Sequence, residues 1–263
     1  MKLSQVAIQL YTLRDFCKTA PDFAATARKV KHLGYDAVQI SGVGPISTDE
    51  LVRICRGEGL TIAATHESGK DIVDNTTMVI DRLHALGTRY TAYPHPHLPL
   101  TTIEEVLALA AALDKAGKAM RKAGQVLTYH NHALELRKFD GKTMLEIFYE
   151  QTGKANLQGE IDTYWIQCGG GDPVAWCRYL RRRLPLLHMK DHGVNKDNRA
   201  ATMMEIGQGN LNWPAIISAA ERAGCEWFIV EQDVCPGDPF ESIRESYRYI
   251  KEHLVERAAV SAG

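Results

Sequence analysis

The sequence has no Cys-x-x-Cys pair, no excess of charge of one sign and no long apolar run. Each absence removes a class of protein. The six cysteines, Cys17, Cys55, Cys168, Cys177, Cys225 and Cys235, are scattered. In a chain of 263 residues they read as reduced, mostly buried thiols and not as a disulfide framework. Lys and Arg number 31 against 32 Asp and Glu, a formal charge of −1. There is then no basic surplus to neutralise a phosphate backbone, and a dedicated nucleic-acid binder is not expected. No apolar stretch approaches the roughly 18–20 residues that cross a bilayer, so no membrane span is expected. The opening MKLSQVAIQLYTLRD is interrupted by Gln5, Gln9 and Arg14 and does not make a signal-peptide core, which points to a cytoplasmic protein.

What is present is alternation. Short β-branched or apolar runs, VAIQLY (6–11), AVQIS (37–41), TIAATH (61–66), RYTAYP (89–94), VLTYHN (126–131), LQGEID (157–162), PLLHMK (185–190) and EWFIVE (226–231), predict eight strands. Their starts fall 24 to 41 residues apart, the rhythm of βα units. Between them lie amphipathic stretches such as 21–34, opening on Pro-Asp and closing on Gly34, and 101–124, opening on Thr101 and closing on Gly124. Eight such units in this length predict a single (β/α)8 TIM barrel forming one domain over 1–263. A doubly wound open sheet is the competing architecture. It is disfavoured because the first βα turn, LYTLRDFCKTAPD, lacks the Gly-x-Gly-x-x-Gly phosphate cradle, and because eight near-equal units suit closure. The least regular stretch, Asp191 to Trp213, is polar and long enough to lie over a barrel mouth.

In a barrel the site forms at the C-terminal ends of the strands. Seven of the ten histidines fall at or just past those predicted ends: His66, His95, His97, His130, His132, His188 and His192. Strand five also leads to Glu135, strand six ends in Asp162 with Tyr164 and Trp165 beyond, strand seven adds Lys190 and Asp191, and strand eight ends in Glu231. Closure would bring Glu135, Asp162, His188 and Glu231 together from four successive strands. Three crowded carboxylates repel one another unless a cation lies between them. Oxygen-rich ligands with one imidazole favour Mn²⁺, Mg²⁺ or Co²⁺ over a thiolate-type zinc site. Taken singly, each of these residues has an ordinary reading: an acid at a strand end is commonly a helix N-cap or a surface residue, and a lone histidine a satisfied core group. Trp165 and Trp213 are either core aromatics or a sugar platform. The basic run RYLRRRL (178–184) is a solvated helix end or else a phosphate contact.

The motifs YHNHALEL, EIDTYW, LLHMKDHG, EIGQGNLNW and FIVEQD, in that order, resemble the signatures of the xylose isomerase-like TIM-barrel superfamily, in its sugar phosphate isomerase/epimerase branch. The resemblance covers nearly the whole chain. It implies one divalent metal ion, Mn²⁺ before Mg²⁺, Co²⁺ or Zn²⁺, held by Glu135, Asp162, His188 and Glu231. In related ketose 3-epimerases the first metal Glu lies three positions before the strand-five Asn; here that position is Thr128. The ligand from this strand would then have to be Glu135, beyond the strand.

The expected chemistry is proton abstraction next to a carbonyl of a small sugar or keto-sugar, with the ion stabilising the enediolate. Glu135 and Glu231 are the candidate acid/base pair, and His66, His130, His132, Trp165 and Lys190 the candidate substrate contacts. The same first step also serves a lyase or dehydratase acting on an inosose or 3-keto-glycoside. An apurinic endonuclease on the same barrel is disfavoured by the charge. A barrel subunit completed by a partner chain is the remaining competing reading. Members of the family it resembles are often homodimers or homotetramers.

Overall fold

The computed structural model describes residues 1–197 and 199–255; the last eight residues of the expected 1–263 domain lie outside it. Each predicted strand region holds a strand: β1 (Val6–Gln9), β2 (Ala37–Ile40), β3 (Thr61–His66), β4 (Tyr90–Tyr93), β5 (Val126–His130), β6 (Leu157–Asp162), β7 (Leu186–Met189) and β8 (Trp227–Val230). All neighbours pair in parallel, and β8 closes on β1 through Val6↔Phe228, Ala7↔Ile229 and Ile8↔Val230. The result is a closed barrel, and the chain is a single (β/α)8 fold. Around it lie α1 (Ala20–Leu33), α2 (Thr48–Gly57), α3 (Thr76–Leu86), α4 (Ile103–Lys122), α5 (Met144–Gln151), α6 (Pro173–Tyr179), α7 (Trp213–Ala223) and α8 (Pro239–Tyr249).

Local chemistry sets the helix ends. Thr19, and not the Pro-Asp pair itself, caps α1 by accepting the Asp22 N–H, while Pro21 sits in the first turn where its missing donor costs nothing. Gly34 ends the helix at φ 112°, a conformation that favours glycine. Thr102 and Glu105 form a reciprocal capping box at the start of α4. Apolar residues three and four apart, Phe23, Ala27 and Val30 on α1 and Leu109, Leu113, Ala116 and Met120 on α4, are buried in the core between helices and barrel. Among the described residues no helix is long and apolar enough to cross a membrane.

The side-chain period of two divides every strand into an outward and an inward set. Outward residues such as Val38, Leu127, Tyr129, Leu187 and Phe228 join the helix layer. The inward set begins at the closed end with small and apolar residues, Ala7, Ala37, Ala64, Tyr90, Leu186 and Ile229. Two residues further along, the same faces carry Gln9, Gln39, His188 and Glu231. This switch from apolar to polar along the barrel axis places the polar groups at the C-terminal mouth.

Two segments depart from the sequence expectation. Within the stretch expected to be irregular, Asp191–Val194 pairs antiparallel with Ala201–Met204. Its base is fixed by the buried Asp191 carboxylate, which accepts the N–H groups of His192, Gly207, Gly209 and Leu211 and the Trp213 indole N–H at 2.7–3.3 Å. Trp213 is therefore a core residue and not a sugar platform. In RYLRRRL, Arg178 and Arg181 are exposed as a solvated helix end requires, but Arg183 is buried. Its guanidinium donates to the carbonyls of Leu157, Tyr149 and Thr152 and to the Thr152 hydroxyl.

Candidate active site

Inward-facing side chains of β5 to β8 converge at the mouth. His130, Asp162, His188 and Glu231 are all buried, and one ligand atom from each lies within 4.8 Å of every other. His188 Nδ1 is 2.9 Å from Glu231 Oε2, and His130 Nε2 is 3.3 Å from Asp162 Oδ2. Three of the four expected ligands are thus brought together, with His130 in the fourth place.

Glu135 is not among them. It lies on the turn Leu134–Leu136, where its buried carboxylate accepts the Tyr129 hydroxyl at 2.9 Å and the His132 N–H at 2.8 Å. Tyr129 is an outward residue of β5, stacked on Tyr93 and tilted against Phe148, so it draws Glu135 into the helix–sheet layer. The expectation that Glu135 joins the cluster as ligand and acid/base group is corrected on this geometry. Burial also raises its carboxyl pKa. Thr128 faces inward but donates to the Thr91 carbonyl.

Below the cluster is a polar layer that the sequence reading missed. Gln9 donates to Gln39 at 2.9 Å and Gln39 donates to Glu160 at 2.7 Å. The other Glu160 oxygen lies 2.6 Å from His66 Nε2. His188 Nε2 faces the Gln39 amide oxygen at 2.7 Å, which turns Nδ1 toward Glu231. The signal that finds these residues is the period of two: Glu160 stands two before Asp162 on the same inward face.

Lys190 supplies positive charge at the mouth. Its buried ammonium lies 2.8 Å from Glu231 Oε2, 3.0 Å from Asp162 Oδ2 and 3.1 Å from Asp233 Oδ2. Burial opposes charge on every one of these groups, but for Lys190, Asp162 and Glu231 their mutual attraction overrides it. Asp162 is held down to about 2 by Lys190 and His130, and Glu231 well below the carboxylate range by Lys190 and His188. The carboxylates of Glu160 and Glu231 raise His188 to about 10. Asp233 goes the other way, to about 6, through burial and the charge of Glu231. Burial, with the neighbouring His130, pushes His132 down to about 2, so it is neutral at ordinary pH.

Above the cluster opens a cavity of about 460 Å³, lined among others by Tyr11, Arg14, His66, His132, Lys190 and Asp233. Tyr11, Arg14 and Asp233 were not singled out from the sequence. His132 Nδ1 is buried without a partner among the described residues. Trp165 stands behind His132, ring centroids 5.3 Å apart, outside the group lining the cavity, and its indole N–H is likewise unpartnered. His95 packs edge-on against His132, and His97 bonds the Tyr93 hydroxyl.

The donor set fits a divalent cation: two carboxylates and two imidazoles, buried and convergent, with Gln39 bonded to the far nitrogen of His188 as metal-bound histidines require. The protein therefore has a buried His/Asp/Glu cluster that could hold a metal ion.

Comparison with known proteins agrees with this architecture. The rhizopine catabolism protein MocC of Rhizobium meliloti is 23% identical over 273 residues, covering 89% of this chain and 81% of that protein. A sugar phosphate isomerase/epimerase structure from Parabacteroides distasonis superposes with a TM-score of 0.81 at 21% identity, covering 95% of this chain and 94% of the other. An L-ribulose 3-epimerase superposes at 0.71 with 16% identity, covering 96% and 94%. The family model described as the xylose isomerase-like TIM barrel matches residues 27–253, and with the closed barrel and its polar mouth this establishes that the chain belongs to that family.

Proposed function

We propose that the protein is a divalent-metal-dependent isomerase or epimerase that removes a proton next to the carbonyl of a sugar or keto-sugar. The observation that carries this reading is the convergence of His130, Asp162, His188 and Glu231 within 4.8 Å, with His130 and Glu231 lining an open cavity. A divalent ion held by those four residues would supply Lewis-acid chemistry at the substrate carbonyl.

The protein's own groups do the rest. Glu231 lines the cavity and is the group we assign to take the proton, whereas the Glu135 carboxylate is bonded to Tyr129 and the His132 N–H. His132, kept neutral, lines the cavity and is the group we assign to a substrate hydroxyl, with Arg14, which also lines it, for a further oxygen. The His66–Glu160 pair fixes the wall beneath. The names of the similar structures, a sugar phosphate isomerase/epimerase and a ketose epimerase, support the substrate class.

The test is incubation of a keto-sugar and inosose panel with the protein and Mn²⁺ in D₂O. Deuterium should enter at one carbon beside the carbonyl, with an epimer or isomer as product. Elimination of water or of a glycosidic group would reassign the protein as a dehydratase or lyase with the same first step. No exchange on any member would overturn the reading.

A further inference from the structure

Lys190 touches the same carboxylate oxygens on which the imidazoles converge. Asp162 Oδ2 is 3.3 Å from His130 Nε2 and 3.0 Å from Lys190 Nζ. Glu231 Oε2 is 2.9 Å from His188 Nδ1 and 2.8 Å from Lys190 Nζ. The ammonium is thus placed as a cation at the cluster. It has a third anion, Asp233, which is not among the four clustered groups and which it meets through both oxygens, at 3.2 and 3.1 Å. Asp233 also lines the cavity, so this third contact lies on the open side.

We propose that Lys190 is the site's own exchangeable cation: in the metal-free protein its ammonium holds Asp162 and Glu231 together, and a divalent ion binds by displacing it onto Asp233. This rests on the reading of the four-residue cluster as a metal site. The physical need is direct. A divalent ion and an ammonium held against the same two oxygens repel strongly in a poorly solvated site, so each weakens the hold of the other. Removing the ammonium without a replacement would also leave Asp162, Glu231 and Asp233 short of compensating charge, and undercompensated buried carboxylates are destabilising. A tethered ammonium meets the second need, and an anion one step outward lets it leave without becoming an unpaired buried charge. Lys190 and Asp233 are then positioning residues that set metal affinity from within the chain.

The roles can be separated by calorimetric Mn²⁺ titration and melting of wild type, Lys190→Met, Lys190→Gln, Asp233→Asn and the Lys190→Met/Asp233→Asn double variant. Removing the ammonium should tighten Mn²⁺ binding by about ten- to a hundredfold while lowering the metal-free melting temperature, with Mn²⁺ raising it again more than in wild type. Lys190→Gln, which keeps polar contacts, covers the case in which Lys190→Met does not fold. Asp233→Asn should weaken binding by about tenfold when Lys190 is present and clearly less when it is absent, since only the ammonium needs the refuge.

Unchanged affinity in both lysine variants, or an equal Asp233→Asn effect in both backgrounds, would overturn the exchange. The metal-site reading fails on a different result. If wild type binds no Mn²⁺ but Lys190→Met does, the ammonium occupies the cluster without exchanging, and both the exchange and metal-dependent function of the natural chain fall. If none of the proteins binds, both fall.

Discussion

The Gln39 amide oxygen accepts the Nε2–H of His188 at 2.7 Å, and that single bond decides which imidazole nitrogen looks out of the barrel. Gln39 is itself oriented, because its amide nitrogen is committed to Glu160 at 2.7 Å. Replacing it with leucine keeps the volume roughly constant and frees His188 to rotate. Gln39→Leu should lower Mn²⁺ affinity by about 10–100-fold, as outer-shell partners of metal-bound histidines do, with an unchanged circular dichroism spectrum. Undiminished affinity by calorimetry would remove Gln39 from the orienting role.

Among the described residues Glu231 is the one carboxylate that is both in the cluster and on the cavity. Glu231→Gln is close to isosteric and should leave the barrel folded. It should cost about 10²–10⁴ in the rate of deuterium incorporation, the span of a lost acid/base group. Glu135→Gln should leave that rate within a few-fold of wild type, since its carboxylate serves Tyr129 and the His132 N–H. Equal loss in both variants would return Glu135 to the chemistry.

Asp191 organises the segment that follows β7. Asp191→Ala would strand five donors, three of them backbone N–H groups of residues 207–211, and should cost on the order of 3 kcal/mol in urea unfolding. Gly209→Ala tests the same loop from the other side. A Cβ there would meet Asp191 Oδ1 at 2.3 Å and the His192 carbonyl oxygen at 2.5 Å, so the loop must move. It should destabilise more than Gly237→Ala, where a Cβ meets nothing within 4 Å.

The thiols give a pH signature. Burial pushes Cys17, Cys55 and Cys177 up to about 12, so the folded state keeps protons that the unfolded chain releases near pH 8.5. Their contribution to stability is whole below that pH and is lost as pH rises toward 12, by about 1.4 kcal/mol per unit for each thiol. Urea midpoints should therefore fall steeply between pH 9 and 10.5, and less steeply in Cys55→Ala. The same slope in both proteins would contradict it. In native protein Cys168, the exposed thiol, should react first with a thiol reagent.

The barrel was readable because its strands are buried on both faces and interrupt amphipathic segments at regular intervals. Asp162, His188 and Glu231 were readable because a strand end in this fold is a place, not merely a position. Gln9, Gln39 and Glu160 were readable in principle from the inward register, but attention to strand ends passes over residues two steps below them. Glu135 went wrong for a reason no spacing reveals: Tyr129 and the His132 N–H, outside the barrel interior, compete for its carboxylate and win. Arg183 looks like its exposed neighbours in RYLRRRL, and only the carbonyls that gather around its guanidinium mark it as interior. The pairing of Asp191–Val194 with Ala201–Met204 depends on a loop held by one buried carboxylate, a contact that composition does not encode.

Closure through Val6↔Phe228 has a consequence for how the molecule is made. Its first and last strands are about 220 residues apart, so a ribosome working at about 5–20 residues per second needs on the order of 10–40 s to deliver the second after the first. During that interval the nascent chain can form seven strands but leaves the edges of β1 and β7 without the partner they share. Glu231 arrives last of the four clustered residues. Until its final strand emerges the nascent protein therefore carries an incomplete carboxylate–imidazole set and two unpaired strand edges, the feature of an unfinished sheet that invites aggregation.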